Sequence, residues 1–287
     1  MRLNLTAEQM FLELDPCAGG AVSVMRQCDL DLLRPAPERI GPAFDPLQYA
    51  SFAMVPFVGR IHHGRFAFAG RVCALPENLP PEPHAIHGHG WRVPWKIEAS
   101  DESSGSLIYH HAPDAWPWTY STRQVFSLTP DALTVTLSLT NDSDDEMPAG
   151  LGWHPYFSRP GAVLHLPTPH QWFPDDVSGD NRPEQIADAK DLTSGRRVDE
   201  LNLDTTFSVG SESVRMVWPT HAITIRSDPV FSHATVYVPP GEDYFCVEPI
   251  SHAPNAVNSA LPVDLTGFRT LSPGETLSGS ITLVVEH

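Results

Sequence analysis

Side chains able to transfer protons stand in three short segments rich in glycine, tryptophan and proline. His87 lies in the first segment, His154 in the second and Glu248 in the third. Glu248 follows an apolar run that predicts the end of a buried strand, where a desolvated carboxylate has a raised pKa suited to a general base. His154 precedes Pro155 in a bent or extended stretch, so its imidazole can face a cavity. Taken singly, each residue also fits a purely structural role.

A metal site is the first alternative that the histidines suggest. His87 and His89 predict two imidazoles on one face of a strand, but the next carboxylate, Glu98, stands 9 residues after His89. The adjacent pairs His62-His63 and His110-His111 would point to opposite faces of a strand, and we expect both pairs at the surface or in loops. Glycine-rich phosphate loops and a nucleophile elbow are absent from the sequence. We therefore predict no metal site and no cofactor.

Short antiparallel strands are the elements that must position these residues. Residues 133–140 alternate aliphatic and hydroxyl side chains, which is typical of a half-buried strand. Similar strands are predicted at 222–226, 234–238 and 281–285. Helical periodicity is scarce, and at Arg182–Leu192 we predict a helix of about two or three turns. With no internal repeat and no polar linker, the sequence predicts an all-β fold in which residues 1–287 form a single domain.

Composition and charge restrict the partners. The chain carries 18 Lys and Arg against 35 Asp and Glu, a formal charge of −17, so we expect neither a nucleic-acid nor a membrane partner. No apolar stretch has the length of a signal peptide or a membrane span. The four cysteines show no CxxC spacing, which predicts buried, reduced thiols and a cytoplasmic location. The sequence predicts no particular oligomeric state.

Read in chain order, several motifs together resemble the aldose 1-epimerase (galactose mutarotase) family over nearly the whole chain. The specific motifs are Gly-Trp-His154-Pro-Tyr-Phe and Val-Glu248-Pro. Less specific are Arg60-Ile after a proline-containing apolar stretch, His87-Gly in a Gly- and Trp-rich loop, and Asp204 shortly before a phenylalanine.

The resemblance implies a large, twisted antiparallel β-sandwich that holds a sugar in an open cleft on one sheet. It implies that Glu248 is the general base and His154 the general acid, and that Arg60, His87 and Asp204 orient the substrate. The implied reaction is the interconversion of the α and β anomers of a free aldose, without metal, nucleotide or covalent intermediate. The family commonly has Asn immediately before the arginine, whereas this chain has Gly59.

The sequence leaves three further functions open. An anionic sugar would fit if Arg60, Arg71 and Arg92 gathered near the cleft, since arginine binds anions in a bidentate manner. A sugar-binding protein without catalysis would keep the same fold. A glycoside hydrolase would need Asp204 and Glu248 as a carboxylate pair. The flat faces for a sugar ring could come from four tryptophans, although tryptophan is more often a core residue: Trp91, Trp95, Trp153 and Trp172.

Overall fold

A computed structural model describes residues 2–37, 45–167, 170–172, 182–186, 191–210 and 212–287. The first half of the chain contains β1 (Leu3–Ala7), β2 (Met10–Asp15), β3 (Ala21–Gln27), β4 (Leu30–Asp31), β5 (Ser51–Met54), β6 (Arg60–Ile61), β7 (Arg65–Phe68), β8 (Arg71–Ala74), β9 (Ala85–Ile86), β10 (Lys96–Ser100), β11 (Ser104–His111), β12 (Tyr120–Leu128) and β13 (Ala132–Asn141). The second half contains β14 (Met147–Ala149), β15 (Gly152–Ser158), β16 (Val163–Leu166), β17 (His170–Trp172), β18 (Glu184–Gln185), β19 (Leu192–Arg197), β20 (Leu203–Ser208), β21 (Val214–Val217), β22 (Ala222–Ser227), β23 (His233–Val238), β24 (Tyr244–Ile250), β25 (Arg269–Leu271) and β26 (Thr276–Glu286).

Helical structure within the described ranges is short. It consists of the α-helix Val263–Thr266 and of 3₁₀ turns at Pro46–Gln48, His62–Gly64, Gly90–Arg92, Val198–Glu200 and Ala256–Asn258. None of the described helices is long and apolar enough to cross a membrane.

Two large antiparallel sheets form the body of the protein. The eleven-stranded sheet has the order β1-β2-β3-β5-β15-β24-β23-β20-β17-β18, with β4 paired to β3. The nine-stranded sheet has the order β10-β11-β12-β13-β26-β22-β21-β16-β19. The larger hydrophobic core draws on both sheets, for example Leu12 and Phe157 from the first and Leu137 and Ile281 from the second. The core therefore lies between the sheets, as the predicted β-sandwich requires.

The strand prediction is confirmed where one face of a strand is solvated. In β13, the side chains Leu133, Val135, Leu137 and Leu139 are buried while the hydroxyl residues between them are partly exposed. The other predicted strands fall within β22, β23 and β26.

The predicted helix at Arg182–Leu192 is wrong in its described part. Glu184 and Gln185 pair with Gln171 and His170 as an edge strand, and Leu192 begins β19. Residues 187–190 lie outside the described ranges. Pairing with the sheet edge satisfies the backbone groups of Glu184 and Gln185, so the weak helical pattern does not decide their conformation.

The cysteine prediction is half right. Cys73 and Cys246 are buried, as expected, but Cys17 and Cys28 are exposed. Both exposed thiols stand in turns next to β2 and β3, and a turn at the surface offers no core in which to bury a thiol.

Candidate active site

A cleft of about 270 Å³ opens on the face of the eleven-stranded sheet that does not contact the other sheet. The pleat of β15 explains which side chains reach it. Trp153 and Phe157 belong to the core between the sheets, whereas the alternate residues His154 and Tyr156 line the cleft.

The neighbouring strands follow the same rule. In β24, Phe245 and Val247 pack in the core between the sheets, and Glu248 faces the cleft. In β20, Asp204 lines the cleft between two core-facing positions. The structure thus places the five residues singled out by the sequence around one cleft: Arg60, His87, His154, Asp204 and Glu248.

Glu248 and His154 are in direct contact. The Nε2 atom of His154 lies 3.3 Å from Oε1 of Glu248, and both side chains are almost fully buried. Burial raises the pKa of Glu248 well above its usual value, and the negative charge of Asp204 adds to this while Arg60 opposes it. Burial also lowers the pKa of His154 to about 3; its own backbone carbonyl opposes that shift and the charge of Arg34 adds to it. The two shifts together favour the arrangement in which the proton lies on Glu248 and His154 is neutral.

The imidazole of His154 is held by stacking. Its ring lies 4.6 Å from the ring of Phe52 and 4.8 Å from that of Tyr156, at interplanar angles of 29° and 24°. The guanidinium of Arg34 lies 4.0 Å from the Tyr156 ring centroid. Because Nδ1 of His154 is buried without a hydrogen-bond partner, the aromatic contacts fix the plane of the imidazole and leave Nε2 toward Glu248.

His87 reaches the cleft from a left-handed backbone. Its φ of 58° is uncommon for a residue with a Cβ and costs roughly 1–2 kcal/mol. Its amide donates to the Gly59 carbonyl at 2.9 Å, and its ring stands edge-on to His154 at 5.3 Å. Burial lowers the pKa of His87 well below its usual value, and the charges of His154 and Arg60 add to the effect. His87 is therefore neutral at pH 7.

Gly88 also has a positive φ, so the chain turns instead of continuing as a strand. As a result His89 points away from the cleft, and its Nε2 lies 2.7 Å from the hydroxyl of Tyr120. The expectation that His87 and His89 share one face is wrong for this reason.

The adjacent histidine pairs also differ in part from expectation. His63 and His110 are exposed, whereas His62 and His111 are buried. The opposite faces predicted for His110 and His111 are confirmed, because both belong to β11. His62 is buried because the side chain of Asn255 hydrogen-bonds both its backbone and its ring.

A metal ion would find donors in the cleft itself. The ligand atoms of His87, His154 and Glu248 lie within 4.8 Å of one another. These three residues come from separate segments, so sequence spacing did not reveal the group. Two imidazoles and a carboxylate suit a transition-metal ion. In the structure, two of these donors already face each other as the Glu248–His154 pair.

Arg60 is held by two carboxylates at the rim of the cleft. Its Nε donates to Glu82 at 3.1 Å, and its Nη2 donates to Asp204 at 3.2 Å. Glu82 was not predicted, because a carboxylate in a proline-rich loop carries no signal of its own. Arg71 pairs with Asp145 away from the cleft, and Arg92 lies over the ring of Trp91. The expected arginine cluster is therefore wrong: of the three arginines, Arg60 alone lines the cleft.

Tyrosines, not tryptophans, supply the flat walls of the cleft. Trp91, Trp95, Trp153 and Trp172 are all buried core residues. The cleft is lined instead by Tyr156, Tyr237 and Tyr244, together with aliphatic side chains. A signal for two of them was present in the sequence, since Tyr156 and Tyr244 stand at even spacing from His154 and Glu248 on the same strands.

His252 connects two segments of the cleft wall. Its Nδ1 donates to the Ala253 carbonyl at 2.8 Å, and its Nε2 accepts from the Val58 amide at 3.3 Å. These partners fix a neutral tautomer, and burial lowers the pKa of His252 to about 4. His252 therefore supports the cleft and has no free nitrogen for proton transfer.

Comparison with known proteins identifies the family. Residues 19–283 match the sequence profile of the aldose 1-epimerase family. The chain belongs to the aldose 1-epimerase family. It is 30% identical over 285 residues to YphB, an uncharacterized protein of Escherichia coli K12, and the match covers 93% of each chain.

Solved structures agree with this membership. The fold matches that of a proposed aldose 1-epimerase of Escherichia coli K12 with a TM-score of 0.88 and 28% identity, covering 100% of this chain and 99% of the other. A galactose mutarotase-like protein of Clostridium acetobutylicum has the same fold, with a TM-score of 0.87, 18% identity and coverage of 99% and 94%. Within the aldose 1-epimerase family, this chain has the galactose mutarotase-like β-sandwich that the sequence predicted.

Proposed function

We propose that the protein is an aldose 1-epimerase (mutarotase) that interconverts the α and β anomers of a free, neutral aldose by general acid–base catalysis. The observation that carries the proposal is the contact between Glu248 and His154, two buried groups whose functional atoms lie 3.3 Å apart at the cleft. Anomer exchange needs such a pair, since one group must take a proton while the other gives one.

Ring opening and closure account for the arrangement. The carboxylate of Glu248 removes the proton of the C1 hydroxyl while His154 protonates the ring oxygen; the bond from C1 to the ring oxygen breaks and a carbonyl forms at C1. Both sugar oxygens are bonded to C1, so functional atoms 3.3 Å apart can reach them together. After rotation about the bond between C1 and C2, reclosure on the other face returns both protons. Each proton transfer contributes about 10²- to 10⁴-fold to the rate.

The directions of the two pKa shifts match one stage of this cycle. With Glu248 protonated and His154 neutral, the pair has the protonation state that accompanies the open-chain aldehyde. Binding of a closed sugar shifts the proton to His154, because the C1 hydroxyl donates to the Glu248 carboxylate and the ring oxygen accepts from the imidazolium. These hydrogen bonds replace the water that burial has removed from both charges.

The remaining polar side chains hold the sugar. Arg60 and His87 offer donors, and Asp204 offers an acceptor, from three separate elements around the cleft. Arg60 is positioned by its ion pairs with Glu82 and Asp204. The tyrosine walls offer apolar faces to the C–H groups of a pyranose.

The charge of the cleft favours a neutral sugar over an anionic one. Among the described residues that line it, Glu82, Asp204 and Glu248 carry carboxyl groups and Arg60 carries a guanidinium. Arg60 is already paired with Glu82 and Asp204. A phosphorylated or sulfonated sugar would therefore meet like charge, while the cation described in the lining is already paired.

Hydrolysis and binding without catalysis receive less support from the geometry of the cleft. A hydrolase using Asp204 and Glu248 would need both carboxyl groups to act on one glycosidic bond, whereas Asp204 is ion-paired with Arg60 and Glu248 contacts His154. A binding protein without catalysis would have no use for a buried acid–base pair in contact.

The test is proton NMR exchange between anomers across a panel of sugars. We expect the protein to accelerate exchange of neutral aldoses such as galactose or glucose, and to act poorly on their 6-phosphates. Binding without acceleration would support a sugar-binding protein. Equal rates for neutral and phosphorylated sugars would contradict the charge argument, and release of a reducing sugar from a disaccharide would support a hydrolase.

A further inference from the structure

The carboxamide of Asn78 joins the backbones of the two residues on either side of His87. Its Nδ2 donates to the Ile86 carbonyl at 2.7 Å and to the Gly88 carbonyl at 2.9 Å, and its Oδ1 accepts from the Ile86 amide at 2.9 Å. The orientation of the amide follows from these partners, since only Nδ2 can donate to two carbonyls. All three bonds thus go to the residues that flank His87.

His87 needs such support because its backbone is unfavourable. An unconstrained residue with a Cβ leaves the left-handed region, and extension of the chain here would turn the imidazole out of the cleft. The next residue is equally constrained: a Cβ on Gly88 would lie 2.0 Å from the Val55 carbonyl oxygen, so the chain passes tightly against β5. The bonds from Asn78 hold the segment against this neighbour.

We infer that Asn78 is a positioning residue for His87, holding the left-handed conformation that directs the imidazole into the cleft. The inference rests on the proposed function for the role of His87 in sugar binding. Asn78 acts through the peptide groups of Ile86 and Gly88 and does not itself line the cleft.

A matched control exists elsewhere in the fold. Asn141 makes the same three kinds of bond, with Nδ2 donating to the carbonyls of Asp145 at 2.8 Å and Leu271 at 2.9 Å, and Oδ1 accepting from the Ser143 amide at 2.9 Å. It does not line the cleft. Asn141→Ala therefore measures the general cost of removing a carboxamide that organises a turn.

The first measurement is kcat/KM for anomer exchange. We expect Asn78→Ala to lower it roughly 10- to 100-fold, since misplacement of a binding group by about 1 Å has effects of that size. Asn78→Asp keeps the acceptor and loses both donated bonds, so it should lose as much. Asn141→Ala should lower the thermal midpoint while kcat/KM stays within about twofold of wild type. Wild-type kcat/KM in Asn78→Ala, or an equal loss in Asn141→Ala, would overturn the inference.

A double-mutant cycle separates positioning from general damage. If Asn78 acts through His87, then Asn78→Ala added to His87→Ala should lower kcat/KM by less than about twofold further. Losses that multiply in the double variant would show that Asn78 acts independently of His87.

A measurement without catalysis keeps the two proposals distinct. The imidazole proton resonance of His87, assigned by its loss in His87→Ala, should shift in Asn78→Ala and stay unchanged in Asn141→Ala. If wild-type protein accelerates anomer exchange of no sugar, the proposed function fails, and this resonance still decides the position of His87. An unshifted resonance in Asn78→Ala would overturn the inference.

Discussion

Two clusters of polar side chains lie on either side of Gly88, and they differ in how deeply their carboxylates are buried. The cleft cluster consists of His87, His154 and Glu248, and the second-sheet cluster consists of His89, His111, Tyr120 and Asp114. Each contains an imidazole close to a carboxylate: 3.3 Å separates His154 from Glu248, and 3.5 Å separates His111 from Asp114. The Glu248 side chain is 4% exposed, whereas that of Asp114 is 64% exposed.

Burial of the carboxylate is what gives the cleft cluster its chemistry. Water stabilises the ionised form of an exposed carboxylate, whereas a buried one binds its proton until a substrate replaces the lost solvation. A lowered histidine pKa does not separate the two groups, because burial lowers the pKa of His89 to about 4 and that of His154 to about 3. The lesson is that histidine burial alone does not identify a proton-transfer site.

Removal of the two carboxylates should give the largest difference between the clusters. We expect Glu248→Gln to lower kcat for anomer exchange by about 10²- to 10⁴-fold, because the amide cannot take the C1 hydroxyl proton. Asp114→Asn should leave kcat within about twofold of wild type. Circular dichroism of both variants checks the fold. Similar kcat values in the two variants would contradict the assignment of the base.

Removal of the partner imidazoles should have the next largest effect. His154→Gln should lower kcat by about 10²-fold or more, since the amide can donate a hydrogen bond to the ring oxygen but cannot transfer a proton to it. His111→Gln is the matched variant in the second-sheet cluster and should leave kcat unchanged within a few-fold. The measurement is anomer exchange at saturating sugar. Loss of activity in His111→Gln, with activity retained in His154→Gln, would place the general acid in the second-sheet cluster instead.

The buried histidines of both clusters should lower the free energy of unfolding as the pH falls. Unfolded histidine titrates near pH 6.5, and burial lowers the folded pKa of His89 and His154, so between pH 6.5 and about 4 the unfolded state binds more protons. The free energy of unfolding should fall as pH is lowered through this window, by at most roughly 3 kcal/mol for each histidine. Glu248 has the opposite sign, because its raised pKa gives the folded state the extra proton as pH falls.

Denaturant unfolding at several pH values checks this prediction. His89→Gln and His154→Gln should each flatten the decline toward low pH, and Glu248→Gln should steepen it. An unchanged pH dependence in His89→Gln would show that the pKa of its imidazole is the same in the folded and unfolded states.

The sequence predicts strands with one solvated face better than the strands that carry the site. β13 has one solvated face, so its alternation of apolar and hydroxyl residues is visible in the sequence. β15 and β24 are covered on both faces, by the core on one side and the cleft walls on the other, and almost every residue of each is buried. Alternation by polarity is lost there, and the family motifs carried the prediction of His154 and Glu248 instead.

What escaped prediction depends on backbone conformation and on partners distant in sequence. His87 and His89 were expected on one face because a strand was assumed, and the left-handed residues 87 and 88 rotate them apart. Glu82 and Asn78 lie in a proline-containing loop and gain their roles through Arg60 and through the peptide groups beside His87. Such roles follow from three-dimensional contacts that local composition does not encode.

The smallest predicted effect concerns Gly59, whose carbonyl accepts the His87 amide and where the family resemblance predicts Asn. A Cβ at Gly59 would meet only the Cα of Pro254 at 3.9 Å, and Asn tolerates its φ of 60°. Gly59→Asn should therefore change the free energy of unfolding by less than about 1 kcal/mol. A new hydroxyl contact from the amide should lower KM for a neutral aldose by about two- to tenfold at unchanged kcat.

Gly88→Ala is the matched contrast, because it alters the glycine that separates the clusters. Its Cβ would lie 2.0 Å from the Val55 carbonyl oxygen, so β5 or the His87 segment must move and both KM and stability should suffer. Kinetics and denaturant unfolding of the two glycine variants together test whether the cleft has room beside Arg60. A destabilised Gly59→Asn, or a raised KM, would show that the space at Gly59 is already used in binding the sugar, and the glycine itself would then be part of the substrate specificity.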